Sequence, residues 1–155
     1  MVEREQKAKP LISSNFYVKK ERTMEAKLKH LEFIQNVITR MNSNSFLIKG
    51  WTVTLVAALF ALAAKDTNQG YISIVYFIVF LFWGLDGFFL SQERQYRGLY
   101  GEVAKKDVND IDFSMDARKF KVWRNSWFAS FFSKTLIPFY GVILAVVVSI
   151  MFVIR

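Results

Sequence analysis

Apolar and polar positions fall into long blocks along this chain of 155 residues. Three apolar runs, residues 46–64, 71–90 and 136–154, each approach the ~20 residues that an α-helix needs to cross a bilayer's hydrocarbon core. Polar sequence fills residues 1–45 and 91–135, and a short turn, 65–70, joins the first two runs. Inside the polar blocks the period changes. From Val18 onward, Met24, Leu28, Leu31, Ile34, Ile38 and Met41 recur at helical steps with Lys, Glu and Arg between them, which predicts an amphipathic helix with one apolar face. Asn42-Ser43-Asn44-Ser45 then lowers helix propensity, as a hinge or as a polar turn of one continuous helix. After the second run, Tyr96, Leu99, Tyr100 and Val103 alternate with Glu93, Arg94, Arg97, Glu102, Lys105 and Lys106. The second helix is therefore expected to continue past its apolar run for about three or four turns. Residues 107–112 read as a turn. Trp123, Trp127, Phe128, Phe131 and Phe132, with Lys and Arg among them, have the composition of an interfacial segment. Pro138 falls in the first turn of the third run, where its missing N–H costs little.

The expected fold is an all-α membrane protein. It has three transmembrane helices, 46–64, 71–90 and 136–154, with amphipathic helical extensions at 18–45 and 91–135. Residues 1–17 have mixed charge, a proline and no steady period, and are expected to form a mobile arm. Residues 18–155 form one membrane domain, since neither polar segment is long enough to bury a core of its own.

Charge adds orientation. The net charge is +8; segments 1–45 and 91–135 carry nine Lys and Arg each, against Lys65 in the turn and Arg155 at the end. The positive-inside rule places both long segments in the cytoplasm and the C-terminus across the membrane. The first apolar run lies too far along and is too long for a signal peptide, so direct insertion is expected.

The chain has no cysteine and one histidine, His30. Disulfides, thiolate metal sites and cysteine nucleophiles are excluded, and a histidine-based metal site is not expected. His30 sits in a charged helical pattern and is expected to be exposed or to pack between helices. No phosphate loop, nucleophile elbow or metal spacing occurs, so no enzyme activity and no cofactor are expected. Asp107, Asp110, Asp112 and Asp116 lack the glycine and glutamate of a calcium loop and read as a solvated loop.

Two charges lie inside apolar runs. Reflecting residue numbers about the centre of the turn carries Lys49 onto Asp86. An unpaired charge in hydrocarbon costs a few kcal/mol, about 2.5–3.5 at a helix centre, so an intramembrane-edge ion pair is expected. The alternative is that Lys49 snorkels to the headgroups and Asp86 meets water. The first run also carries a seam of small residues, Gly50, Thr54, Ala57, Ala61 and Ala64, at alternating steps of four and three. The third carries Gly141, Ala145 and Ser149. Such seams allow close helix packing and predict a homo-oligomer, unless both are used within one subunit. The second run is bulky, with Tyr76, Phe77, Phe80, Phe82, Trp83, Phe88 and Phe89. The middle of every run is apolar, which disfavours a dedicated transporter. A conduction path would need several copies and a wall of Thr and Ala, or of Val and Ile, closed by dewetting. Arg94, Arg97, Arg118, Lys119, Lys121 and Arg124 are candidates for phosphate or lipid-headgroup contacts. Nucleic-acid binding lacks a basic stripe interleaved with aromatics.

The stretch HLEFIQNVITRMNSNSFLIKGW, the hairpin after it and GFFLSQERQYRGLY resemble small bacterial inner-membrane proteins. They also resemble the SLATT group of membrane effectors associated with nucleotide-signalling and phage-defence systems. In that group a cytosolic helix precedes two tightly linked spans and a longer cytosolic helix follows; the third apolar run departs from this layout. The resemblance implies an oligomeric inner-membrane effector that permeabilises or depolarises the membrane when a cytosolic sensor, a nucleotidyltransferase partner or a nucleotide ligand triggers it. The alternative is a non-conducting anchor that recruits a cytosolic enzyme.

Overall fold

The computed structural model describes the backbone of residues 2–63 and 70–154, and the side chains of residues 17–63, 70 and 73–152. Its elements are helices α1 (Val2–Ala63), α2 (Gly70–Lys105), α3 (Trp127–Phe131) and α4 (Leu136–Ile154), with 3-10 turns at Val108–Asp110, Arg118–Phe120 and Trp123–Asn125. The described residues contain no strand. Two helices are long and apolar enough to cross a membrane, within Tyr17–Ala63 and Ser73–Lys105. The apolar helix α4 is shorter over its fully described part, Leu136–Phe152.

α1 runs without interruption through Asn42–Ser45. The weak propensity of four polar residues is overridden because α2 packs along this part of α1. The helix begins at Val2, and the backbone of residues 2–17 is its first part; the side chains of 1–16 lie outside the described residues. α2 extends past its apolar run to Lys105, as its mixed helical pattern predicts.

α1 and α2 form an antiparallel pair and bury matching faces. On α1 these are His30, Ile34, Ile38, Ser45, Thr52 and Val56; on α2, Val75, Val79, Trp83, Asp86, Ser91, Gln95, Leu99 and Val103. Steps of four and seven keep the α1 set on one side of its helix; on α2 a step of five from Asp86 to Ser91 turns the buried face, so that Ser91 and Gln95 meet the Asn125 carbonyl of the following segment. Two apolar cores result. One joins Val56, Val75, Val79 and Trp83 to Leu136, Tyr140 and Val147 of α4. The other, at the polar end, joins Ile34, Ile38, Leu99 and Val103 to Ile111 and Ala117.

The chain between α2 and α4 runs back along α2 as a strap. Lys27 Nζ on α1 donates to the carbonyls of Ala104 and Lys106, at 3.2 and 2.7 Å. It thereby satisfies acceptors that the helix end leaves open and adds a cation at the negative end of its dipole. Asp107 accepts from the Asn109 N–H and starts the first 3-10 turn. Phe113 takes a positive φ of 52°, an uncommon state for a non-glycine residue, and its ring meets His30 edge-on at 5.5 Å. His30 is thus buried, at 4 % exposure, and its Nε2 has no hydrogen-bond partner.

Close approach of the strap needs glycine at two places. A Cβ on Gly98 would lie 2.7 Å from the Phe120 ring, and one on Gly87 would lie 3.3 Å from the Phe131 backbone. Gly98→Ala is expected to displace Phe120 and lower stability by about 1–3 kcal/mol. Gly101→Ala, on the same helix but facing open space, is expected to be neutral or slightly stabilising. Denaturant unfolding of the two variants in detergent micelles compares them; equal stabilities would contradict this packing.

Candidate functional site: a polar layer between two apolar cores

Between the two cores lies a layer of buried polar side chains: Ser45 and Thr52 on α1, Asp86, Ser91 and Gln95 on α2, and Ser130 and Ser133 around α3. Its centre is Asp86, which is fully buried. Lys49 Nζ lies 2.5 Å from Asp86 Oδ2 and also donates to Ser45 Oγ at 2.7 Å. Ser45 Oγ in turn donates to Asp86 Oδ1 at 2.5 Å. Ser45 and Lys49 stand one helical turn apart on α1, and so reach the same carboxylate from one face. The third helix completes the set: Tyr140 Oη donates to Asp86 Oδ2 at 3.2 Å. Lys49 keeps a quarter of its side chain exposed and lies 5.9 Å from the Phe139 ring centroid.

A flat aromatic stack backs this group. Trp83 stacks with both Phe131 and Tyr140, with ring centroids at 4.5 and 5.4 Å and planes within 9° and 6° of parallel. Two indoles hold the irregular segment against α2: Trp83 Nε1 donates to the Phe131 carbonyl at 2.9 Å, and Trp127 Nε1 donates to the Gly84 carbonyl at 2.8 Å. Farther along, Ser91 Oγ donates to the Asn125 carbonyl at 2.6 Å, and Arg94 reaches the Arg124 carbonyl and Ser130 Oγ at 3.2 and 3.3 Å. Ser133 Oγ accepts from the Leu136 N–H and caps α4. The backbone of this non-helical stretch thus finds partners where apolar surroundings would leave it unpaired.

The predicted basic residues do not form one ligand site. Arg97 pairs with Glu93 at 2.8 Å, Arg118 with Asp116 at 2.7 Å and Lys119 with Glu102 at 2.6 Å, while Arg94 is turned onto the strap. Lys121 and Arg124 are exposed. The aspartates of the strap act within it: Asp107 caps a turn and Asp116 accepts from the Arg118 guanidinium through both carboxylate oxygens. A cleft of about 200 Å³ at this end is lined by Glu102, Lys106, Asp112, Ser114, Asp116 and Lys119, with Leu99 and Val103 beneath. Three carboxylates and two ammonium groups line it, and both ammonium groups pair with Glu102. Hydrogen bonds from Lys106 and Lys119 hold the Glu102 carboxyl below its usual range, and Glu102 raises Lys106.

The small-residue seams face outward. Gly50, Thr54, Ala57 and Ala61 are exposed along α1, and a Cβ on Gly50 would meet nothing within 4 Å; Ala64 lies outside the described residues. On α4, Gly141 likewise meets open space and Ala145 and Ser149 are exposed. The bulky second run divides: Trp83 is buried in the stack, while Phe77, Phe80 and Phe88 point outward.

Sequence reasoning missed Ser45 and Tyr140 as partners of the carboxylate. Ser45 had a signal, the four-residue spacing to Lys49. Tyr140 had none, because its position against α2 depends on the path of the strap.

Two measurements test this geometry. Lys49→Met leaves a buried carboxylate without its counter-charge and is expected to cost about 3–5 kcal/mol; the exchanged pair Lys49→Asp with Asp86→Lys is expected to recover part of that, because the Ser45 and Tyr140 hydroxyls can also accept from a lysine. Unfolding in micelles reads both, and an exchanged pair less stable than either single variant would contradict the pairing. The second concerns Asp116, whose carboxyl the Arg118 guanidinium holds down at about 2. A carboxyl lowered on folding stabilises the strap above its unfolded value of about 3.9, and that contribution is lost as pH falls towards 2. Carbon-detected NMR is expected to show Asp116 titrating near 2, and nearer 4 in Arg118→Gln; an ordinary midpoint in the unmodified protein would contradict the contact.

No protein-family model, curated protein or solved structure matches the chain, so its function has to be read from this arrangement.

Proposed function

We propose that the chain is a bacterial inner-membrane effector. Its α1, α2 and α4 cross the bilayer with the polar end in the cytoplasm, and several copies together permeabilise or depolarise the membrane when a cytosolic sensor or nucleotide signal acts on the strap end. The observation that carries this reading is the outward placement of both small-residue seams. Each subunit closes its own three-helix core with Asp86, Trp83 and Tyr140 and leaves the Gly50 and Gly141 faces uncovered. Close-packing faces without a partner inside the subunit are suited to contacts between subunits. No charged residue lies between Lys49 and Ala63, between Gly70 and Leu85, or between Leu136 and Ile154. A path through such an assembly would be a hydrophobic constriction that opens by wetting. The resemblance to phage-defence effectors supplies the setting.

A second reading, a non-conducting anchor for a cytosolic enzyme, draws on a different feature. α1 continues beyond the end of α2 and carries Tyr17, Val18, Met24 and Leu28 exposed on the polar side, a surface that a partner could cover.

Expression in cells loaded with a potential-sensitive dye separates the two. The effector reading expects depolarisation, and expects Gly50→Leu together with Gly141→Leu to abolish it and to reduce the assembly's size in detergent. Unchanged membrane potential at high expression, alone and with a candidate trigger, would favour the anchor.

A further inference from the structure

We infer that the strap carries a docking surface for anionic phospholipid headgroups, centred on Lys121, Trp123 and Arg124. The inference rests on the membrane placement above but not on pore formation. Trp123 is the most exposed large apolar side chain described, at 80 %, and Val122 beside it is exposed as well. Nothing in the fold explains an indole left outside, yet the backbone around it is tightly held. Asn125 receives Ser91, Arg124 receives Arg94, and Trp127 is tied to Gly84. Trp123 is therefore presented outward by a fixed framework.

Its depth is set by the same contacts. Trp127 is level with Gly84, one turn or less from the Lys49–Asp86 pair at the edge of the apolar runs, and Arg124 is level with Arg94, where α2 has become polar. Trp123 and its flanking cations thus lie where the apolar surface ends, the depth at which indoles favour the membrane interface.

Charge selects the occupant. From Ala117 to the end of the chain there is no Asp or Glu. Arg118 and Lys119 are taken up by Asp116 and Glu102. Lys121 and Arg124 are exposed and, among the described residues, have no carboxylate partner. Two free cations flanking an exposed indole at this depth match a negative headgroup with its acyl chain alongside. Each cation near an anionic surface attracts by about 1 kcal/mol, roughly a fivefold preference.

The test uses the full chain reconstituted into phosphatidylcholine vesicles. Trp123 fluorescence is taken as the difference between the unmodified protein and Trp123→Phe, and is quenched with increasing mole fractions of brominated phosphatidylglycerol or of brominated phosphatidylcholine. The expected result is half-quenching at a several-fold lower fraction of the anionic lipid. Lys121→Gln with Arg124→Gln is expected to remove that preference while helicity and detergent elution stay unchanged, and millimolar inorganic phosphate is expected not to compete. Equal quenching by both lipids, or a preference that survives the double substitution, would overturn the inference. Absence of quenching by either lipid would place Trp123 away from the bilayer and overturn it too. Because the readout is lipid contact and not conductance, a failed pore assay leaves this result standing.

Discussion

The full burial of one carboxylate constrains this molecule most. An ionised group removed from water needs opposite charge and hydrogen bonds in good geometry, and Asp86 draws these from two other helices. Lys49 and Ser45 approach from α1 and Tyr140 from α4. Helical residues advance by about 100° each, so a slip of one residue along α1 would swing both donors off the carboxylate. The apolar faces above and below can tolerate sliding, since one valine replaces another at little loss. The polar layer cannot, and it therefore sets the register of all three helices.

The same layer explains why an irregular segment can lie against the apolar part of α2. Non-helical backbone in such a place must find partners for its N–H and C=O groups. Trp83 supplies one through its indole N–H, and Ser91, Arg94 and Ser133 do so farther along, while the Trp127 indole ties the segment to the Gly84 carbonyl of α2. The indoles also contribute apolar area: Trp83 stacks with both Phe131 and Tyr140, so a single side chain joins α2, α3 and α4. The strap, the polar layer and the apolar core are thereby one connected body, and α1 and α2 run through all of it. A ligand or partner acting at the strap end would act on helices that continue to the far side of the apolar core.

At the polar end the design differs. Contacts there are exposed ion pairs, such as those of Arg118 and Lys119, and individually they contribute little. What anchors the strap is apolar: Ile111 and Ala117 in the second core, and Phe120 seated against Gly98. His30 joins that core without a partner for Nε2, so the strap's closure costs the unmet hydrogen bond of one buried ring nitrogen.

The sequence by itself determined the helices and the pairing of the first two. Both features depend on period and on distance from a short turn: apolar steps of three and four mark each buried face, and a tight turn makes depth a function of residue number, which sets Lys49 opposite Asp86. The tertiary structure alone decided how the rest is arranged. The strap between Lys106 and Ser126 has no period, so its path could not be read, and everything positioned by that path was hidden with it. This includes Tyr140 on the carboxylate, Phe113 on His30 and the Trp83 stack. Likewise the arginines and lysines read as one basic set, but their nearest carboxylates were fixed by folding, which paired some internally and left Lys121 and Arg124 exposed. The outward direction of the two small-residue seams is of the same kind, because a helix's composition states which face can pack closely while only its neighbours determine which face does.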